Sequence, residues 1–388
     1  MCCHHTKHLI AQKLMDNHEF KFFDIIGWVG FQGVDLETEE TKFNKIHRII
    51  VDQNVTLRGR DVHPMPKYLR ELSFCYEYNR PFTQIFKLNE MTSLTKLTLG
   101  CKFNRPIIPS TFPESLLDLT FGGYYNKPLY PGMLPYNLTK LSFIGGNFNH
   151  PLASFLPKSL IELTLSDQFN QEIAPGTFSE NLSKLTFGCR FNKLLIPGVL
   201  PDSLTELTFA VASDFNKIID PGVLPRNLKK IKFGKSFNQP LKPGCFPDSL
   251  THIVFGRVYN QLLTPGVLPP HLVKLKFGYN MCDDNYIQSI NSFGSFFDQP
   301  LPFDMLSNSL THLCFAIRSS FNQPIIAVSR PRGTDVRSCL NVIFGRDYRL
   351  YLCEPKYPDV LVHIYTTLTG DTVSNEFQTD IDTKQFNF

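Results

Sequence analysis

The residues of this chain with the clearest capacity for chemistry are bases that recur at one place in a repeating pattern: Lys230, Lys232, His252, Lys274, Lys276 and His312. They sit beside apolar residues, as in Lys230-Ile231-Lys232 and Lys274-Leu275-Lys276, so a strand there would bury the apolar member and turn the bases outward. Between Arg226 and Phe277 nine Lys or Arg face the single Asp248, a local balance of +8 in a chain whose total is +4. Like charges stacked at strand spacing, about 4.8 Å, repel one another, and an acidic partner relieves that repulsion. A charge run is more often a solvated face than a docking surface, and the acidic C-terminal stretch or Asp283 and Asp284 could also fold back on it.

Other constellations carry less. Cys2, Cys3, His4, His5 and His8 have zinc-ligand chemistry, but adjacent ligands close a tetrahedral site only with strain, so an unliganded tail is expected. His252 and His312 share a Thr-His pair at the same repeat place, which makes them members of a surface ladder before it makes them a catalytic pair. The chain has no phosphate-binding Gly-x-x-x-x-Gly-Lys-Ser/Thr loop, no Gly-x-Ser-x-Gly elbow and no His-Glu-x-x-His. No enzyme activity, cofactor or metal is expected. Nucleic acid is the rival ligand, disfavoured because the aromatics are committed to a core and leave no stacking platform among the lysines.

These bases are positioned by a motif that returns every 22 residues: Leu-x-x-Leu-x-Phe, Gly, Phe-Asn, Pro-Gly, Leu-Pro. Its first Leu falls at Leu94, Leu116, Leu138, Leu160, Leu182 and Leu204, then at Leu228, Leu250 and Leu272, and after a 38-residue step at Leu310. In each copy the segment after the first Leu alternates apolar and polar residues, the period of a short strand. Proline and Pro-Gly then exclude a helix and enforce a turn. Ordering 22 residues costs roughly 1–2 kcal/mol each, more than about six buried apolar side chains return, so copies must stack. Stacking sets Leu185 beside Leu163 and Leu207, and Phe187 beside Leu165 and Phe209. The Phe-Asn pairs supply a phenylalanine spine and a buried ladder of Asn amides that satisfies backbone groups where strand gives way to turn.

The strings Phe237-Asn-Gln-Pro-Leu241, Phe321-Asn-Gln-Pro-Ile325 and Thr251-His-Ile-Val-Phe-Gly256, with the Leu-Pro-x-Ser-Leu before many strands, resemble the FNIP repeat family over about residues 66–326. That family is related to leucine-rich repeats and occurs chiefly in slime moulds and giant DNA viruses. The resemblance implies a non-enzymatic protein-interaction scaffold. Some members carry a helical F-box that docks onto cullin-type ubiquitin ligases, but residues 1–45 lack its Leu-Pro-x-Glu opening.

The expected fold is mainly β: a right-handed, leucine-rich-repeat-like solenoid with a parallel sheet on one face and no convex helices. Residues 1–45, with Leu9, Ile10, Leu14, Phe20, Phe23 and Ile26, are expected to form a short helical cap. Residues 46–365 form the array, interrupted by an insert at about 279–294, and residues 366–388 form a disordered acidic tail. Val342–Gly345 and Pro358–Ile364 are worn terminal strands. No run of about 18 apolar residues and no long apolar leader is present, so an intracellular monomer is expected, in the cytoplasm, or the host's if viral. The ten Cys are scattered, Cys101 and Cys189 at one repeat place, and do not form a disulfide framework. The expected partner is a protein, acidic if it meets the Lys/His stripe, with ubiquitin-ligase components as the alternative.

Overall fold

The computed structural model describes residues 20–21, 48–51, 67–82, 87–152, 155–279, 294–301, 306–307, 309–316, 319–321, 325–327, 340–344, 348–352 and 362–364. The chain divides into two compact units. One comprises Met1–Ile173 with Thr177–Leu182, the other Ala174–Gly176 with Ser183–Phe388.

The first unit carries β1 (Phe20–Lys21), β2 (Arg48–Val51), β3 (Glu71–Phe74), β4 (Lys96–Thr98), β5 (Asp118–Phe121), β6 (Lys140–Phe143) and β7 (Glu162–Thr164). They pair in chain order, all parallel. The second carries β8 (Lys184–Phe187), β9 (Glu206–Phe209), β10 (Lys230–Lys232), β11 (His252–Phe255), β12 (Lys274–Phe277) and β13 (His312–Phe315), again parallel and in order. Then come β14 (Ile325–Ala327), β15 (Leu340–Phe344), β16 (Tyr348–Leu352) and β17 (Val362–Ile364). The register is exact repeat on repeat: Leu185 lies beside Leu207 and Phe187 beside Phe209. Each unit is thus a β-solenoid. Among the described residues no α-helix occurs, and Leu88–Glu90 form a short 3-10 turn.

Both ends depart from expectation. Phe20–Lys21 is a strand parallel to β2 where a helix was expected, because it extends the sheet edge and pairs its backbone. The rest of residues 1–45, including the Cys/His cluster, lies outside the described residues, as do residues 280–293 and 366–388. β15 continues the parallel stack from β13, but β16 turns back antiparallel on β15. β17, expected as a last rung, instead pairs antiparallel with β14 in a separate sheet. At the insert, the Gly294 N–H donates to the Tyr279 carbonyl at 3.0 Å, so the two ends meet and the coil resumes at Ser295.

The core is two rows of aromatic rings. One row is the residue that follows the second outward place of each copy, Phe in most and Leu at Leu99 and Leu165, and the other is the Phe or Tyr of the Phe-Asn corner; Phe187 and Phe191 stack at 3.9 Å within a copy. Between copies Phe191, Phe215, Phe237, Tyr259, Phe297 and Phe321 lie 6.0–6.2 Å apart, with planes within 10°. Offset parallel rings at this spacing are favourable beyond their burial. Three side-chain ladders then satisfy the irregular backbone. Asn Oδ1 of one copy accepts the backbone N–H of the next copy's Asn: Asn79 from Asn104, Asn104 from Asn126, Asn126 from Asn149, Asn216 from Asn238, and Asn238 from Asn260. The ladder was expected to be buried; it is half-buried to exposed, since it lines the corner where the chain leaves the strand. The Ser of Leu-Pro-x-Ser-Leu donates to the preceding copy's first Leu carbonyl, at 2.7 Å for Ser115, Ser159 and Ser249. Thr139, Thr205 and Thr251 donate across copies as well.

Two glycine places have different causes. In Pro-Gly the Gly takes positive φ, +81° at Gly244, with open space around it. The first copy reads Pro109-Ser110, and Ser110 is forced to φ 59°. Side chains meet the following carbonyl there, at a cost of about 1–2 kcal/mol. After the strand the constraint is room: a Cβ on Gly256 would strike the carbonyl oxygen of Gly234 in the copy before.

Three stability outcomes follow from this packing, each measured by denaturant unfolding. Ser110→Gly raises stability by about 1 kcal/mol, because glycine takes the turn without strain. Gly256→Ala lowers it by about 1–3 kcal/mol by forcing neighbouring copies apart; an unchanged midpoint would mean that the stack is looser than the register implies. Tyr259 is fully buried, with its phenol pushed above its ordinary range by burial, and its hydroxyl has no hydrogen-bond partner among the described residues. Tyr259→Phe therefore stabilises by about 1 kcal/mol, since it removes a buried unsatisfied group while keeping the ring.

Candidate protein-interaction face

Each strand presents two side chains on the face away from the rings, and the register arranges them as two rows. In the first unit one row runs Glu71, Lys96, Asp118, Lys140, Glu162. Signs alternate, and Lys140 Nζ lies 3.4 Å from Glu162 Oε2, the expected neutralising ladder. In the second unit the row runs Lys184, Glu206, Lys230, His252, Lys274, His312. The companion row runs Thr186, Thr208, Lys232, Val254, Lys276, Cys314. All six bases singled out from the sequence are thus brought onto one face of four consecutive strands, with no carboxylate at any of the eight places on β10 to β13.

The two rows differ in exposure. Lys230, His252, Lys274 and His312 are half-buried side chains at the surface. Lys276 is only 8% exposed, Val254 8% and Cys314 7%. The expectation that Lys276 faces solvent is therefore corrected: its stem lies in register between Val254 and Cys314, which cover the methylenes.

The charge imbalance is also smaller than the local count implied. Lys230 Nζ approaches Glu206 Oε2 at 3.9 Å, Arg226 pairs with Asp202 at 3.1 Å, and Lys242 with Asp220 at 2.9 Å. All three carboxylates precede the counted window. Arg257 packs its guanidinium over the Phe296 ring at 4.7 Å.

His252 and His312 are held alike. Thr251 Oγ1 donates to the Lys229 carbonyl at 3.0 Å and lies 2.9 Å from His252 Nδ1. Thr311 Oγ1 donates to the Val273 carbonyl at 3.3 Å and lies 2.8 Å from His312 Nδ1. A hydroxyl has one proton, which each threonine can give either to the carbonyl or to Nδ1, so it donates to a bare Nδ1 or accepts from Nδ1–H, and it accepts whenever the ring is protonated. Burial, then Lys230, Lys274 and His312, hold the His252 pKa below its ordinary value, with Glu206 opposing. Lys274 stands between the two imidazoles in the register, so they do not form an adjacent pair. Among the described residues no group of three or more His, Cys, Asp or Glu is placed to hold a metal ion, and no helix is long and apolar enough to cross a membrane. The described cysteines, Cys75, Cys101, Cys189, Cys245 and Cys314, are free thiols.

Two members of the supporting ladder were not singled out from the sequence. Asn79, after Tyr78, begins the described Asn ladder, and Asp298 takes the Asn place in the copy after the insert, its N–H donating to Asn260 Oδ1 at 2.8 Å. The string Phe297-Asp298-Gln-Pro-Leu301 was the available signal, hidden by Asp standing for Asn.

The model of the FNIP Repeat matches residues 92–124, 125–168, 169–210, 215–244 and 237–280. Among solved structures, CroV588, described as a novel circular LRR protein, from the giant virus CroV, is 28% identical with a TM-score of 0.54. The match covers 80% of this chain and 48% of that one, so this chain spans about half the length of that protein. An internalin, InlF of Listeria monocytogenes, is 13% identical with a TM-score of 0.37, over 73% of this chain and 84% of its own. None of the curated proteins matches. With its phased Phe-Asn corners, Pro-Gly turns and parallel one-strand copies, this chain is an FNIP repeat-containing protein.

Proposed function

We propose that this protein is a non-catalytic scaffold that binds an acidic protein segment on the open strand face of its second unit. The observation that carries the reading is the row Lys230, His252, Lys274, His312, where four successive copies offer bases in register and no carboxylate stands among them. A solenoid of such copies has no structural need for bases there, since in the first unit Thr or Ser fills the companion row and alternating signs fill the other. Pre-ordered strands hold the charges in place before a partner arrives, which lowers the ordering cost of binding.

Nucleic acid is disfavoured by the same geometry. The aromatic rings fill the interior, and the one exposed aromatic of the second unit among the described residues, Phe296, already carries Arg257. The ubiquitin-ligase adaptor reading gains nothing from β1, a strand where that alternative calls for a helical docking module.

The test is charge reversal at the exposed row alone, because reversing the buried Lys276 would disturb folding. Lys230→Glu with Lys274→Glu is expected to leave the circular dichroism spectrum unchanged and to weaken binding of an Asp-rich peptide at least about tenfold. Undiminished peptide binding by the folded variant would overturn the assignment of this face. Tighter binding of single-stranded RNA than of the peptide, with steep salt dependence, would move the reading to nucleic acid.

A further inference from the structure

The two histidines of this row have a property that lysines at the same places would lack. Each has a threonine Oγ1 at Nδ1 that also reaches a carbonyl, so that oxygen can accept the Nδ1–H of a protonated ring while giving its own proton to the carbonyl, and Nε2 is left to meet anything approaching. A carboxylate meeting the Nε2–H of the protonated ring gains a charge-assisted hydrogen bond, stronger than any the neutral ring offers. We infer that the face is a proton-coupled dock, in which the imidazole of His252 takes up a proton as an acidic segment binds, so that the partner is held more tightly as the pH falls. This inference rests on the acidic-partner reading of the same face.

The surroundings of His252 set the direction. Lys230 on β10 and Lys274 on β12 flank it in register, Lys232 and Lys276 lie in the companion row, His312 stands beyond Lys274 on β13, and Glu206 lies beyond Lys230 on β9. Bases outnumber the one carboxylate, and Glu206 is already engaged by Lys230. In the free protein this environment, together with burial, keeps His252 neutral to a lower pH than an ordinary imidazole. Carboxylates laid along the row reverse that bias and raise the pKa of the ring, so proton uptake and partner binding reinforce one another by linkage. Aspartate side chains remain ionised down to about pH 5, so a window exists in which the dock gains charge and the partner loses none.

Calorimetric titration of the full chain with an octa-aspartate peptide, at pH 7.5 and pH 5.5 and constant ionic strength, tests this. The wild type is expected to bind roughly tenfold more tightly at pH 5.5 and to take up protons on binding, read as a dependence of the heat on the buffer's ionisation enthalpy. His252→Gln should reduce the difference between the two pH values to about twofold or less. His252→Lys should bind at pH 7.5 roughly as the wild type does at pH 5.5. Peptide binding that is lost in Lys230→Glu with Lys274→Glu but does not change with pH in the wild type would overturn the proton coupling and leave the docking reading standing. Peptide binding absent at both pH values would overturn both.

Discussion

Each copy of this repeat must turn a corner at Phe-Asn, and there a backbone N–H leaves the strand ladder with nothing to pair it. The preceding copy's Asn Oδ1 accepts it, at about the same distance wherever the ladder runs: 3.0 Å from Asn104 to Asn79 and 2.9 Å from Asn260 to Asn238. An unpaired buried or half-buried N–H costs about as much as a hydrogen bond is worth, so this contact penalises any slip in register. The rings, the serine and threonine ladders and the tight glycine at the strand end all presuppose that register. Gly256 can press against the carbonyl of Gly234 only because the two strands are level.

Strict register also creates the electrostatic character of the face. Stacking puts like places side by side at strand spacing, so whatever the repeat carries at an outward place is presented in series. Where successive copies alternate in sign, as from Lys96 to Glu162, the series neutralises itself. In the second unit the alternation stops after Glu206 and Lys230, and the following places hold His252, Lys274 and His312. Exposed ion pairs of the first kind contribute little to stability, commonly below about 1 kcal/mol, so losing the alternation costs the fold little. The same substitution transforms what the surface attracts.

Much of this was legible because periodic residues have periodic causes. The leucines and phenylalanines at fixed offsets gave the strands, their register and the rings, and Pro-Gly gave the turns. What escaped detection was local and non-periodic. Ser110 at positive φ and Asp298 in the Asn place do their copies' work with the wrong letter, so a pattern read by residue type passed over them. The burial of Lys276 depends on Val254 and Cys314 in the flanking copies, a relation between positions 22 and 38 residues away. Glu206 fell just outside the stretch in which charges were counted, although in space it touches Lys230. The antiparallel return of β16 onto β15 lies where the repeat has worn away and no period remains to be read.

The threonine–histidine contact shows how a scaffold of this type acquires a specialised surface at little structural cost. The threonine that precedes the strand donates to the previous copy's carbonyl in copies with no histidine at all, as Thr139 and Thr205 do. It serves the stack first. Where the next residue is Lys or Glu the spare lone pairs of that hydroxyl have no ring beside them to engage. Where the next residue is His, as after Thr251 and Thr311, the same oxygen holds the imidazole through Nδ1 and leaves Nε2 for a partner. One substitution at an outward place therefore adds a positioned, titratable group without altering a single contact that holds the copies together, and the threonine ladder explains why it arrives already oriented.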